Sequence, residues 1–525
     1  MSETSYDAVP YSSFPYARTH PDRLCTTASL FGMSPAAPRS ARVLEIGCAS
    51  GGNLLPMAEQ LPDAQLVGID LAARQITTGK GAIEAARLQN VELHACDLTS
   101  VDAQFGEFDY IVCHGVFSWI DAATQARLLE VFKQRLRPQG VGLISYNTYP
   151  GWYQRSATRD MMRYHVAQFD DVTVRAEQAK ALLDFVVEHG PSADRSGRSE
   201  WSSLMRREAE LLREMPSDYL FHEHLEEHNT PLYFHEFEAR ARGAGLAYLG
   251  DADVHTMMAA PLPAGPAAQL EKISPDLVRL EQYLDFVRGR QFRSTLVCHD
   301  DVSLSRQIEP EALDSRFISC KGHPPAVADP FDLQPGVRVA VDCGGGTVHS
   351  EVPATKAALH VLCSRWPEAI SFAELCDAAQ AMLRAADIES TESDRKALGV
   401  DVLQCYLGGA LELRTEPPRL VREAGPRPRV TAYARWQAEH CEFVTSARHV
   451  RIGLDIAGRA VVSLLDGTRD RAGIVAGLVN RVEAGTLHLR IGGATIAEPA
   501  RWVEPLGAVL DRTLELLAVR GVLLA

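Results

Sequence analysis

Val43-Leu44-Glu45-Ile46-Gly47-Cys48-Ala49-Ser50-Gly51-Gly52-Asn53 decides how the N-terminal part of the chain is read. A short apolar run with an acid near its end breaks into a loop of Gly, Ala and Ser, and the segment Asn53–Leu61 then starts a helix. Strand, small-residue turn and helix make the first unit of a nucleotide-type α/β domain. Glu45 stands two residues before the first glycine. A pyrophosphate-binding loop has no use for a carboxylate there, because phosphates already carry negative charge. A ligand end bearing positive charge suits it. The G-x-G-x-x-G spacing of a dinucleotide fingerprint is absent as well.

Outward from this loop, residues 42–147 alternate strand and helix. The strands read as Val43–Gly47, Leu66–Asp70, Val91–Cys96, Phe108–His114 and Gly140–Asn147, with helices over 53–61, 72–89 and 123–136. Strands alternating with helices of this length predict parallel pairing and right-handed crossovers, and a wholly apolar run such as Tyr110-Ile111-Val112-Cys113 fits a sheet covered on both faces. Residues 152–240 read as a charged, mostly helical insertion, in which Leu204, Ala209, Leu211, Leu212 and Met215 recur at roughly helical spacing. Leu246–Leu249 and Ser294–Cys298, with a helix around Leu280–Arg288 between them, would complete seven strands. The expected fold class is therefore α/β, a Rossmann-like seven-stranded sheet with a helical insertion.

Four features fall where such a sheet binds an adenosine cofactor. Glu45 and the loop Gly47–Asn53 end the first strand. Asp70 ends the second, placed for both ribose hydroxyls, with Leu71 beside it. Asp97 follows the third; its carboxylate suits the adenine amino group, and Leu98 would cover the ring. His114-Gly115 ends the fourth, at the crevice where open α/β sheets bind ligands. With no phosphate, and with an ammonium and a sulfonium, S-adenosylmethionine (SAM) fits this set. The cofactor-binding residues are read as Glu45, Gly47, Cys48, Ser50, Gly51, Asn53, Asp70, Leu71, Asp97, Leu98, His114 and Gly115.

Val43–Gly52, Gly68-Ile69-Asp70 and Cys96-Asp97-Leu98 resemble the first three motifs of class I SAM-dependent methyltransferases. Four further stretches, Tyr6–Tyr11, His20–Leu24, Tyr146–Trp152 and Tyr219–Leu225, resemble bacterial methyltransferases with a methyltransferase regulatory domain, a group that includes the rickettsial lysine methyltransferases of outer-membrane protein B. The resemblance implies SAM as cofactor, a helical insertion able to form a homodimer, and a protein lysine as acceptor. One departure is Ala49, which replaces the middle glycine of the usual Gly-x-Gly-x-Gly loop; its methyl is small and the loop need not hold phosphates. Methyl transfer is an in-line displacement at an activated carbon, so positioning supplies much of the rate. Tyr146, Asn147, His114 and Tyr11 are the candidate catalytic residues, with Phe117, Trp119, Tyr149 and Tyr16 able to line the acceptor slot. Methylation of a small molecule or glycan precursor is a second reading, and a SAM-binding regulatory protein with little turnover is a third.

The chain has 525 residues, too many for one core. We expect a methyltransferase domain over 1–302 with its insertion at about 152–240, a linker over 303–345 marked by Pro324-Pro325, Pro330 and Pro335, and winged-helix-like α+β units over 346–420 and 421–525. A net charge of −15 argues against wholesale nucleic-acid binding, the tail included; a role in docking or recruiting protein suits the tail better. Met1-Ser2-Glu3-Thr4 shows no basic or apolar leader, no apolar run has the length of a membrane span, and the 11 cysteines form no Cys-x-x-Cys pair. The expectation is a reduced, cytoplasmic protein with no membrane segment. His224-Leu225-Glu226-Glu227-His228 spells the inverted zinc-protease motif, but its charged surroundings read as a solvated helix and no distant third ligand stands out. Cys320-x-x-His323 lacks a second pair. No metal ligands are assigned.

Overall fold

Seven strands form the first sheet: β1 (Arg42–Ile46), β2 (Gln65–Asp70), β3 (Val91–Ala95), β4 (Phe108–Cys113), β5 (Leu136–Asn147), β6 (Leu246–Asp251) and β7 (Phe292–His299). Their order is β3-β2-β1-β4-β5-β7-β6. The first five pair in parallel. β7 runs antiparallel between β5 and β6. The computed structural model describes residues 11–190, 200–215, 220–259, 263–325, 332–389, 392–488, 490–491, 494–495 and 502–524.

The apolar strands are explained by what covers them. Alternate residues of β4 enter different cores. Tyr110 and Val112 pack with the helices Pro21–Leu30, Leu54–Gln60 and Ala73–Ala86. Ile111 and Cys113 pack with Ala122–Arg135 and Phe234–Gly243. A strand buried on both faces has no solvent side to keep polar. The antiparallel edge is welded by charge. Arg293 on β7 is 1% exposed. Its guanidinium donates to Asp285 at 2.8 and 2.9 Å and to Glu281 at 3.0 Å, and lies 3.9 Å over the Phe234 ring.

The insertion is built from the helices Trp152–Val166, Val172–His189 and Glu200–Glu214, which share a core of their own. Met205, Ala209 and Leu212 are its buried row, so the row begins one residue after the expected Leu204, which is only partly covered.

Beyond β7 the expected linker is overturned in part. Residues 303–309 have no regular structure, but Phe317–Cys320 forms β8, the central strand of a second sheet. β8 pairs antiparallel with β11 (Ile370–Ser371) and β12 (Leu411–Arg414). A hairpin of β9 (Val339–Asp342) and β10 (Thr347–Ser350) precedes the helices Pro353–Arg365, Phe372–Ala385 and Glu392–Leu407. A four-residue strand is too short to show a period, and the prolines around it masked it. The last unit holds the hairpin β13 (Phe443–Thr445) and β14 (Arg451–Gly453) among the helices Ala432–His440, Ile456–Val462, Arg471–Glu483 and Val503–Val519. Its terminal chain is tied by Val421 N–H to Leu523 O at 3.1 Å and Leu524 N–H to Arg429 O at 2.9 Å.

The N-terminal helix, the second sheet and the last unit meet at Glu412 on β12. Its carboxylate accepts from Arg23 at 2.6 Å, Arg414 at 2.6 Å and Arg448 at 2.5 Å. Burial would raise its pKa, but the three guanidinium groups outweigh that and hold the carboxyl at about 2.

Candidate functional site

β1 delivers Glu45 to the carboxyl edge of the sheet, where it is 4% exposed. Its Oε1 accepts from Asn53 Nδ2 at 2.7 Å. Its Oε2 is buried and has no hydrogen-bond partner among the described residues. Burial raises the carboxyl to about 7, with the Asn53 hydrogen bond opposing and nearby Asp70 adding to the rise. An orphaned, half-titrated carboxylate oxygen is complementary to a ligand ammonium, so the site fits the amino-acid end of SAM.

The loop after Glu45 is folded by the carboxylate that ends β2. Asp70 Oδ2 accepts from Ala49 N–H at 2.8 Å, and Oδ1 accepts from Ala72 N–H at 2.8 Å. Ala49 sits at φ +48°, in the left-handed region. The departure at Ala49 is therefore not a question of space. Its cost is a backbone conformation that glycine adopts freely, about 1 kcal/mol. Gly47 at φ +79° is held to glycine by space as well, since a Cβ would stand 2.3 Å from Val116. Cys48 turns inward against Gly68. The Ser50 carbonyl packs on Gly79. Leu71 is 43% exposed. Asp97 is exposed and caps the turn after β3, Oδ1 accepting from Thr99 N–H and Oγ1 at 2.8 Å each, with Leu98 half-buried after it.

Segments far away in sequence roof the loop, a feature local periodicity does not carry. Asn53 Oδ1 accepts from Tyr16 N–H at 2.9 Å and lies 2.9 Å from His449 Nε2, and Asn53 Nδ2 lies 2.9 Å from Thr19 Oγ1. Gly52 N–H donates to Ser13 Oγ at 2.7 Å. The C-terminal unit thus reaches the cofactor loop through His449, itself at φ +60°.

The end of β4 opens a second compartment. His114 packs against Tyr16 with ring centres 4.2 Å apart and against Phe292 at 5.7 Å. Burial, with Arg18 nearby, lowers its pKa to about 3, so the imidazole is neutral. Gly115 N–H donates to Ser145 Oγ at 2.7 Å. Burial, with Glu223 and Glu45 nearby, raises the Tyr16 phenol to about 12, against a hydrogen bond with Tyr11. Tyr11 packs edge-on to His222 at 5.4 Å. Glu223 is raised by burial, against the pull of Arg155, His222 and Arg159. The wall is thus aromatic with a neutral imidazole, and Glu223 stands within electrostatic reach of Tyr16. Tyr16 was expected only as a liner, and Glu223 was missed because its neighbours looked like a solvated face.

Other candidates are brought elsewhere. Tyr146 is 1% exposed, stacks on Phe237 at 4.2 Å, and lies 3.1 Å from Thr295 Oγ1, so its ring packs in the core. Asn147 is buried under the loop around Ser118, its N–H donating to Ser118 Oγ at 2.9 Å and its Nδ2 to Asn229 Oδ1 at 3.3 Å. Tyr149 stacks on Tyr153 at 4.1 Å. The solvated helix expected around His224 is corrected: Phe221–Leu225 is a π-helical turn whose Phe221, His222, His224 and Leu225 are buried, and it ends before His228. Tyr6–Pro10 and Tyr219 lie outside the described residues.

The fold and this site define a SAM-dependent methyltransferase of class I. Residues 43–140 match a methyltransferase domain, residues 216–299 match the "Predicted methyltransferase regulatory domain", and residues 426–522 match the "PKMT, C-terminal winged helix domain". The structure of PKMT2 from Rickettsia typhi is 30% identical, covers 98% of this chain and 100% of its own, and superposes with a TM-score of 0.85. The same protein in complex with AdoHcy gives 0.86, at 30% identity and the same coverage. The protein RP789 of Rickettsia prowazekii is 34% identical over 499 residues, 94% of this chain and 88% of RP789. The chain belongs to this family of methyltransferases, which join a regulatory domain and a PKMT winged helix domain to the catalytic sheet. Among the described residues no helix is long and apolar enough to cross a membrane.

Proposed function

We propose that the enzyme transfers the methyl group of SAM to the side-chain amine of a protein lysine. The observation that carries this reading is likeness to PKMT2 along the whole chain, tail included. The compartment beside His114 supports it: Tyr16 and Phe292 offer aromatic faces around a neutral imidazole. A lysine entering there loses hydration, which lowers its pKa from the reference value of about 10.4 and favours the free amine. Aromatic faces stabilise the cationic donor.

In this reading Glu45 takes the cofactor ammonium, Asp70 the ribose, and Asp97 with Leu98 the adenine. SAM supplies a methyl group already activated by its sulfonium. The protein positions it: Asp70 folds the loop, Tyr16 and Ser13 close over it, and neutral His114 and Tyr16 accept or donate hydrogen bonds without adding charge. The enzyme is expected to act in a reduced cytoplasm, and the insertion is the surface we assign to a homodimer. Tritiated SAM incubated with a whole-cell lysate and the enzyme tests the acceptor. Label that runs with a protein band and elutes as methyl-lysine after hydrolysis supports it. Label in the small-molecule fraction refutes it.

A further inference from the structure

Three cysteines from three separate elements converge outside the methyl-transfer site. Cys320 ends β8, Cys343 follows β9, and Cys363 lies in the last turn of the helix Pro353–Arg365. Their sulfurs all lie within 4.8 Å of one another, and Cys320 Sγ and Cys363 Sγ are 3.7 Å apart. Cys320 and Cys343 are fully buried and Cys363 is 7% exposed. We propose that Cys320, Cys343 and Cys363 form a binding site for a soft divalent metal ion of the zinc class.

Geometry and chemistry support this. Tetrahedral coordination with metal–sulfur bonds of about 2.3 Å needs sulfurs about 3.8 Å apart. The Cys320–Cys363 pair already has this spacing, and Cys343 needs only side-chain adjustment. The turns that carry the ligands are packed backbone to backbone, and Gly322 N–H donates to Cys343 O at 3.2 Å. A Cβ on Gly322 would stand 2.3 Å from Gly344 O, and Gly344 is itself at φ +69°. Cys-Lys-Gly and Cys-Gly-Gly-Gly are thus turns whose glycines allow the close approach of two ligands. Metal binding would displace the thiol protons of the three cysteines to solvent. Structural sites are four-coordinate; water would supply the fourth ligand. The ion would pin β8, the β9–β10 hairpin and the helix Pro353–Arg365 together. The sequence reading dismissed Cys320 because its spacing partner was sought at His323. That imidazole instead packs against Trp366.

The test uses the full-length chain, expressed with added zinc and purified under reducing conditions without chelator. Elemental analysis should find near-stoichiometric zinc. Cobalt(II) alone, titrated into metal-stripped protein, should give thiolate-to-cobalt charge-transfer absorption with the strong visible bands of a tetrahedral ion. Cys343→Ser and Cys363→Ser should each lower metal content at least tenfold. Cys405→Ser, in the same core, should leave it unchanged. The cobalt spectrum of the unmodified chain stands even if a variant fails to fold. Metal-free protein with no charge-transfer band at saturating cobalt would overturn the proposal, as would a band that survives Cys363→Ser.

Discussion

SAM binding should carry its own pH dependence, set by Glu45. Without ligand the buried carboxyl titrates at about 7, against an ordinary 4.5. Keeping it ionised above that pH costs the empty protein on the order of 3 kcal/mol, since each pKa unit is about 1.4 kcal/mol. The sign follows from the raised pKa: this destabilisation is absent below the unfolded pKa and grows as pH rises toward 7. A ligand ammonium beside Oε2 favours the carboxylate, so binding releases a proton wherever Glu45 starts protonated. Affinity should be constant just above pH 7 and fall about tenfold per pH unit below it, about 100-fold by pH 5. His114 and His20 titrate at about 3 and so do not contribute to this slope. Glu223 is also raised, and Glu45→Gln separates the two, because the amide keeps the shape and removes the titration. Calorimetry in buffers of differing ionisation enthalpy should count about one proton released near pH 5.5 and almost none near pH 8. Glu45→Gln should bind more weakly at neutral pH, by about 2 kcal/mol, with no slope. A wild-type affinity that is flat from pH 8 to about 5, or a slope retained by Glu45→Gln, would refute the reasoning.

Asp70→Ala removes the acceptor for Ala49 and Ala72 N–H groups and should abolish SAM binding in the same calorimeter, a loss of at least 100-fold; unchanged affinity would remove Asp70 from the cofactor site. Ala49→Gly should relieve the left-handed alanine and raise the urea midpoint by about 1 kcal/mol of stability, with SAM affinity kept. Glu412→Gln leaves the buried guanidinium groups of Arg414 and Arg448 and the part-buried one of Arg23 facing a neutral amide; it should cost about 3 kcal/mol or more and make the chain more susceptible to limited proteolysis between its units. His449→Ala removes the partner of Asn53 on the tail side and should weaken SAM binding several-fold while circular dichroism stays native; an affinity within error of wild type would uncouple the tail from the loop.

The proposed cofactor half of the site is legible because it is local. Glu45, Asp70 and Asp97 each stand at the end of a strand whose apolar run marks it, and strand ends are where this sheet binds ligands. The acceptor half is built from contacts that no window of sequence spans. Tyr146 looked catalytic because it ends β5, but successive residues of a strand face opposite sides. Its ring meets Phe237 in the helical layer, while its neighbour Ser145 meets Gly115 N–H at the crevice. Glu223 was hidden for the converse reason: a run of His and Glu reads as solvent-facing unless Arg155 and Arg159 are known to stand behind it. β8 went unread because four residues carry no period.

The Asn53 contacts change what the tail is for. A C-terminal unit that only recruited substrate would need no contact with the cofactor loop. Here His449 and Tyr16 share Asn53 Oδ1, and Asn53 in turn holds Glu45 through Nδ2. The same tail loop carries Arg448, which grips Glu412, and Glu412 grips Arg23 in the N-terminal helix. Two adjacent residues therefore tie the tail to Asn53, which holds the Glu45 carboxylate, and to the N-terminal helix that carries Arg23. Displacement of the tail would break both ties together, whereas the Tyr16 N–H bond to Asn53 and the Asn53 bond to Glu45 do not run through the tail.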